Sequence, residues 1–289
     1  MNGFLIIDKP KGITSAQCVY KLRSKLGTKK IGHCGTLDPI ATGLLPVCIG
    51  EATKYSNYAS NLDKVYEVGI EFGVETDTGD ITGKIVAKTQ FNGFKEKFDK
   101  SLIELEGVHD QIPPMYSAIK INGNPLYYWA RKGVHLYRDS RKVSIKEIEL
   151  IKKSKNVAIL KIACSKGTYI RSLVEKLGRD LGSCATMISL RRLEVGGLVL
   201  DEESCSLDET HDSLIEKFLP CDAMLGEMDK IELNSEDTKK VRNGLSIDYN
   251  AQLKNKGLVR IYTEEELFIG IGVVNESKKL LPKRLLSTN

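Results

Sequence analysis

The chain has 289 residues, of which 41% are hydrophobic and 28% charged, a composition typical of globular domains that excludes disordered and collagen-like proteins. The net charge of +5 is too small to identify a polyanionic partner. The seven cysteines include no Cys-x-x-Cys pair, which disfavours a disulfide framework or a zinc knuckle and predicts reduced thiols in a cytoplasmic protein. No apolar run has the length expected of a signal peptide or a membrane helix.

The first predicted elements are a strand and a helix. A short apolar run at residues 4–7 predicts a buried strand. Thr14 and Gln17 have the spacing of a capping box, and Gly27 stands where a helix would end. Residues 31–54 follow, and they are rich in Gly and Pro yet too apolar for an ordinary surface loop. The sequence therefore predicts that this segment is packed against the core.

The middle of the chain predicts further strands and helices. Apolar residues alternate from Tyr66 to Phe72, and the turn TDTGD leads to a second strand near residues 84–88, which together predict an antiparallel hairpin. The other predicted elements are helices at 95–106 and 168–181 and an antiparallel pair of strands at 143–151 and 157–164.

Residues 113–153 form a basic segment, with nine basic and three acidic residues and with tyrosines and a tryptophan between them. Basic and aromatic residues together are typical of RNA-binding surfaces. Aromatic residues packed between helix and sheet would give the same composition, so this pattern alone leaves both interpretations open.

A change of composition marks the C-terminal part of the chain. Residues 201–216 contain seven acidic residues and no lysine or arginine. Beyond about residue 229 come a short helical stretch and strands with alternating apolar residues. We therefore predict two domains, residues 1–228 and residues 229–289, the second small, β-rich and docked on the first because so small a unit buries little surface alone.

Most catalytic motifs are absent, and one segment remains. The sequence contains no P-loop, G-x-S-x-G or H-E-x-x-H motif, and its histidines are isolated from one another. GHCGTLDPIATG at residues 32–43 places a single carboxylate, Asp38, among glycines and before Pro39. An Asp-Pro pair is also a common turn starter, so spacing alone favours a structural role.

This segment closely resembles the catalytic motif of the TruB-type tRNA pseudouridine synthases, which isomerise the T-loop uridine at position 55 of tRNA. Further segments resemble the family's other motifs in the same order, between residues 4 and 193. They are FLIIDKPKGITS (4–15), DKVYEVGIEFGVETDTGD (63–80), IPPMYSAIKING (112–123), CSKGTYIRSL (164–173) and ISLRRL (188–193). Such an ordered series is highly specific.

The resemblance implies a role for each matching residue. It makes Asp38 the catalytic aspartate, and it places Cys34 where the family often has Gly or Thr. It implies that Lys9 and Pro10 support the active-site loop. The residues that it implies at the substrate are His33, Tyr66, Tyr169, Arg171, Leu190 and Lys9, with Tyr66 stacked on the target base and Arg171 paired with Asp38.

The implied reaction suits these residue types. Uridine isomerisation breaks the bond between base and sugar, turns the uracil and rejoins it through carbon 5, without redox change or hydrolysis, so no metal or cofactor is expected. It needs an ionised carboxylate beside the sugar, and a neighbouring guanidinium would oppose the rise in pKa that burial causes. Stacking on Tyr66 would offset the cost of extruding the base.

The resemblance also implies a fold and partners. We expect an α+β catalytic domain with a mixed, largely antiparallel sheet, followed by a PUA-like C-terminal domain that contacts the tRNA acceptor arm, in a monomeric enzyme. Two alternatives are a non-catalytic tRNA-binding or tRNA-folding module and a nucleoside-cleaving hydrolase. A pure binder has no need of Asp38, Tyr66 and Arg171 together, and the motifs contain no further residue that would activate water.

Overall fold

The computed structural model describes residues 1–201, 204–249, 253 and 257–287. Its helices are α1 (Ser15–Lys25), α2 (Ser56–Ser60), α3 (Glu96–Leu105), α4 (Leu126–Arg131), α5 (Ile170–Asp180), α6 (His211–Glu216) and α7 (Ser235–Arg242), with a 3-10 helix at Gly50–Tyr55. None of these described helices is long and apolar enough to cross a lipid bilayer.

The strands fall into two main sheets and two short hairpins. Those before residue 200 are β1 (Gly3–Lys9), β2 (Ile31–His33), β3 (Thr42–Ile49), β4 (Lys64–Phe72), β5 (Val74–Thr76), β6 (Ile85–Lys88), β7 (Gly107–Gln111), β8 (Lys120–Ile121), β9 (Asn124–Pro125), β10 (Arg141–Ser154), β11 (Val157–Cys164), β12 (Ala185–Val195) and β13 (Leu198–Val199). Those after it are β14 (Asp229–Leu233), β15 (Ile247–Asp248), β16 (Leu258–Thr263), β17 (Phe268–Val274) and β18 (Lys279–Leu285).

The larger sheet is mixed and largely antiparallel, which confirms the predicted fold class. Its strand order is β1-β3-β12-β4-β11-β10-β7, with β2 beside β3 and β13 beside β12. Only the β12–β3 contact is parallel in this sheet as the structure describes it. The second sheet has the order β14-β16-β17-β18-β15 and belongs to the C-terminal part of the chain. The boundary at residues 228 and 229 stays a prediction.

The predicted first helix is confirmed together with its cap. The Thr14 side chain accepts a hydrogen bond from the Gln17 N–H, and the Gln17 side-chain oxygen accepts one from the Thr14 N–H. The apolar residues Val19, Leu22 and Leu26, which are spaced three and four positions apart, are buried. These residues join a core that fills one face of the large sheet, under α1, α3 and α5.

The predicted hairpin from Tyr66 to residue 88 is wrong in its pairing. Strand β4 pairs with β11 on one side and β12 on the other, so it is a central strand. The hairpin is formed instead by β5 and β6, after a break at Gly73. The alternation within β4 was visible in the sequence, but its partners lie about a hundred residues further along the chain, which local patterning does not reveal.

The C-terminal domain docks on the opposite face of the large sheet. Ile271 of β17 belongs to the same core cluster as Phe4 and Leu44 of that sheet. The rings of Tyr55 and Phe268 lie 5.6 Å apart, centroid to centroid. The Lys54 ammonium donates to the Leu285 carbonyl at 2.8 Å. The two sheets therefore share a buried apolar interface, as the small size of the second domain led us to expect.

Candidate active site

Asp38 lies in the loop between β2 and β3, and several hydrogen bonds hold this loop. The Ser15 hydroxyl, at the start of α1, accepts from the Leu37 N–H at 2.9 Å. The Gly12 N–H donates to the Pro39 carbonyl at 2.7 Å. The loop preceding α1 thus packs directly against the Asp38 loop. Since backbone groups on both sides of Asp38 are bonded, its backbone position is fixed without using its carboxylate.

Lys9 shapes the loop that makes these contacts. It has no exposed surface, and its ammonium donates to the carbonyls of Pro10 at 2.9 Å and Ile13 at 2.7 Å. Burial is the main cause that lowers the pKa of Lys9, while the negative charge of Asp38 opposes the change. Lys9 thus bonds the loop that carries Gly12, and this loop in turn contacts the Asp38 loop.

The Asp38 carboxylate pairs with Arg171, which lies in the first turn of α5. One oxygen of Asp38 lies 3.0 Å from Nη2 of Arg171, and the side chains are 36% and 6% exposed, respectively. The buried guanidinium also donates to the carbonyls of Thr78 at 2.9 Å and Tyr116 at 2.7 Å. Arg171 is therefore fixed by backbone groups from two other segments, and it directs the carboxylate that it contacts.

The charges around Asp38 act in opposite directions. Burial raises the pKa of the Asp38 carboxyl, Arg171 opposes this effect, and the negative charge of Asp80 adds to it. The net result is a pKa above the ordinary value of an aspartate. Because the side chain is still partly exposed, one side of this carboxylate is open to a ligand. Such a group is able to act as a nucleophile or a base in its ionised form.

Tyr66 and Leu190 lie on one face of the large sheet, on the adjacent strands β4 and β12. In the register of these strands Leu190 faces Val68, and Tyr66 faces Arg192. Tyr66 and Leu190 are each 8% exposed. Burial is the main cause that raises the pKa of the Tyr66 phenol, and the charge of Asp38 contributes. The cross-strand partner of Tyr66, Arg192, bonds Gly35 of the Asp38 loop, so Tyr66 lies next to a residue that holds this loop.

His33 and Tyr169 occupy the ends of elements that border the site. His33 ends β2, five residues before Asp38, and its Nδ1 is buried without a hydrogen-bond partner among the described residues. Burial lowers the pKa of His33, and the positive charge of Arg192 lowers it further. Tyr169 precedes α5, where its N–H donates to the Gln111 side chain at 2.8 Å.

Sequence reasoning missed two residues that contact the Asp38 loop. Ser15 begins α1, and its sequence context gives no sign that its hydroxyl bonds a loop 22 residues further along the chain. Arg192 is 1% exposed and donates to the carbonyl of Gly35 at 3.2 Å. The only signal for Arg192 was its position in the segment ISLRRL, because an arginine in a strand ordinarily indicates a solvated face.

Comparisons with known proteins identify the fold and the family. A structure described as a Cbf5-Nop10-Gar1 complex matches with a TM-score of 0.78 at 24% identity, covering 99% of this chain and 84% of the matched chain. Proteins named tRNA pseudouridine synthase B from Buchnera aphidicola (subsp. Schizaphis graminum) and Chromobacterium violaceum are 39% and 38% identical over 99% of this chain and 96% and 95% of their own.

Family models cover both parts of the chain. The N-terminal domain of the TruB family pseudouridylate synthases matches residues 23–170. The model described as Pseudouridine synthase II TruB, C-terminal, matches residues 230–286. The fold and the sequence are thus those of a pseudouridine synthase, an isomerase. The chain belongs to the TruB family.

Proposed function

We propose that this protein converts a uridine of tRNA to pseudouridine, that its target is position 55 in the T loop, and that Asp38 is the catalytic residue. The observation that carries the proposal is the partly exposed Asp38 carboxylate, held by a buried arginine whose guanidinium also donates to two backbone carbonyls. The names of the curated relatives support tRNA as the substrate.

The proposed reaction uses the ionised carboxylate at the sugar of an extruded nucleotide. Asp38 attacks the sugar or removes one of its protons, the bond to the base nitrogen breaks, and the uracil turns and rejoins through carbon 5. The proton at carbon 5 is then lost to solvent. Tyr66 and Leu190, on one sheet face, contact the extruded base, and His33 and Tyr169 border its pocket.

The experiment is tritium release from tRNA labelled at carbon 5 of uridine. We expect release by the wild-type protein and a loss of at least about 1,000-fold in Asp38→Asn, because the reacting group is removed. Asp8→Asn, the matched control, should release tritium as the wild type does. Free uracil would identify a hydrolase, and tRNA binding without release would identify a binding module; either result would contradict the proposal.

The basic segment at 113–153 is the proposed surface for the T arm. Tyr127, Tyr128 and Tyr137 are 42%, 38% and 85% exposed. Arg131 lies over the Tyr127 ring at 5.5 Å, and Lys132 lies over the Tyr128 ring at 4.4 Å. Exposed cations beside exposed rings suit the phosphates and bases of RNA. The segment reaches the site directly, since its Tyr116 carbonyl accepts from Arg171.

Salt dependence tests this surface, because phosphate contacts release counterions. The affinity for tRNA should fall steeply with salt, and a variant with Arg131 and Lys132 changed to Gln should show a shallower slope. An unchanged slope would remove this surface from the proposal.

We further propose that the protein acts in the cytoplasm as a monomer and that its C-terminal domain contacts the acceptor arm. A T-arm fragment lacking that arm should then bind more weakly than whole tRNA.

A further inference from the structure

Arg192 on β12 is a buried cation without a carboxylate partner. It is 1% exposed. Arg171 and Arg191 each face an aspartate, whereas no ion pair between described residues includes Arg192. Removing a guanidinium from water is costly, and an opposite charge ordinarily offsets the cost. A buried arginine held only by neutral groups therefore calls for a reason beyond the stability of the sheet.

The guanidinium joins β3 to the loop that carries Asp38. Its Nε donates to the Leu44 carbonyl at 2.6 Å, and its Nη2 donates to the Gly35 carbonyl at 3.2 Å. Gly35 lies three residues before Asp38 and has a φ of +99°, a conformation that favours glycine. On the other side of the loop, Gly43 lets β12 approach closely, because a Cβ there would lie 2.3 Å from the Arg192 carbonyl oxygen.

The same arginine lies beside Tyr66. Arg192 and Tyr66 are direct cross-strand partners in the register of β12 and β4, so their side chains leave the sheet on the same face. Both side chains are buried, with 1% and 8% of their surface exposed. A single buried arginine thus bonds the Asp38 loop and adjoins the residue proposed to stack on the base.

We propose that Arg192 is a positioning residue that fixes the Tyr66 ring relative to the Asp38 loop, so that an extruded nucleotide finds both at the right separation. This inference rests on the proposed function of Asp38 and Tyr66. Arginine suits the task because its planar donors point in fixed directions to several acceptors at once. A lysine would keep the charge but would bond the carbonyls of Gly35 and Leu44 less rigidly.

The first test compares Arg192→Lys with Arg191→Lys, its matched control one residue away on β12. Arg192→Lys should lower kcat for tritium release by about 100-fold, as expected for a misplaced reacting group, while the Kd for tRNA should change by less than about 3-fold. Arg191→Lys should leave kcat within about 3-fold of the wild type. A folded Arg192→Lys protein with the wild-type kcat would overturn the proposal.

Two further measurements cover the case in which Arg192 variants do not fold. Tyr66→Phe removes only the phenol oxygen, the polar atom that this side chain presents to its cross-strand partner Arg192, and it should lower kcat by about 10-fold. Wild-type turnover by Tyr66→Phe, together with an unfolded Arg192→Lys, would contradict the proposal. Where both single variants fold, the double variant with Arg192→Lys and Tyr66→Phe should lose much less kcat than the product of the two single losses, since both substitutions act on one contact. A loss of kcat equal to that product would show that the two residues act independently and would contradict the proposal.

A titration that does not depend on activity shows whether the guanidinium reaches the site. The positive charge of Arg192 is a secondary cause, after burial, that lowers the pKa of His33. In Arg192→Gln the pKa of His33, followed by NMR and assigned with His33→Gln, should rise, and in Arg191→Gln it should not. An unchanged pKa of His33 in Arg192→Gln would contradict the proposed position of the Arg192 guanidinium. If Asp38→Asn kept its activity, the proposed function would fail while this titration still reported on the contact.

Discussion

Two arginine–aspartate pairs lie on or beside the large sheet, and they are built differently. Arg191 contacts both oxygens of Asp8, at 3.1 and 2.7 Å, and each side chain is 39% exposed. Arg171 contacts one oxygen of Asp38, and this arginine is buried. The first pair uses both carboxylate oxygens to join β1 to β12, whereas the second leaves an oxygen of Asp38 without a hydrogen bond from any described residue. The first pair therefore connects strands, whereas the second keeps a carboxylate oxygen available, as the proposed function of Asp38 requires.

The largest expected effect is on turnover. Arg171→Lys keeps the charge but loses the planar donors that bond Thr78, Tyr116 and Asp38, so kcat should fall by about 100-fold. Arg191→Lys changes the other pair in the same way and should leave kcat within about 3-fold of the wild type. Single-turnover tritium release measures both. Equal losses in the two variants would remove the distinction between the pairs.

The sequence predicted the local elements better than their pairing. The capping box of α1 is a pattern within four residues, and it is present in the structure. The place of β4 between β11 and β12 depends on contacts about a hundred residues apart. The turn motif TDTGD after Phe72 led us to pair β4 with the nearby strand at residues 84–88, and this predicted hairpin was wrong. Strand pairing depends on packing between segments that are far apart in the chain, and local sequence patterns do not reveal which segments pair.

The residues of the candidate site also differ in how well the sequence predicted them. Asp38 and Arg171 became candidates through the family resemblance, because both belong to recognisable segments. Arg192 bonds backbone carbonyls of Gly35 and Leu44, and backbone acceptors leave no trace in residue identity. Sequence patterns therefore indicate residues in recognisable motifs more readily than residues that bond the backbone around them.

The pH dependence of activity is a further test of the difference between the Asp38–Arg171 and Asp8–Arg191 pairs. Burial raises the pKa of Asp38, and Arg171 opposes that rise. If the ionised carboxylate is required, activity falls as pH drops through this pKa. Removing the opposing cation in Arg171→Met should raise the pKa again and move the acid limb of kcat/KM to higher pH. Arg191→Met should have the wild-type profile. An unmoved acid limb in Arg171→Met would show that Arg171 does not act on the ionisation of Asp38.

The smallest expected effects are on stability, and they have opposite signs. The Asp8–Arg191 pair is partly exposed, so a double-mutant cycle should give a coupling of about 0.2–1 kcal/mol, with Asp8→Asn less stable than the wild type in urea unfolding. Asp38 has a raised pKa when folded, which means that its charge lowers the free energy of unfolding as pH rises through that pKa. Asp38→Asn removes this charge and should be more stable than the wild type at pH 8, with a difference that shrinks towards pH 4. If Asp38→Asn were instead destabilised at pH 8 as Asp8→Asn is, Asp38 would be a structural partner of Arg171, and the contrast between the two pairs would be lost.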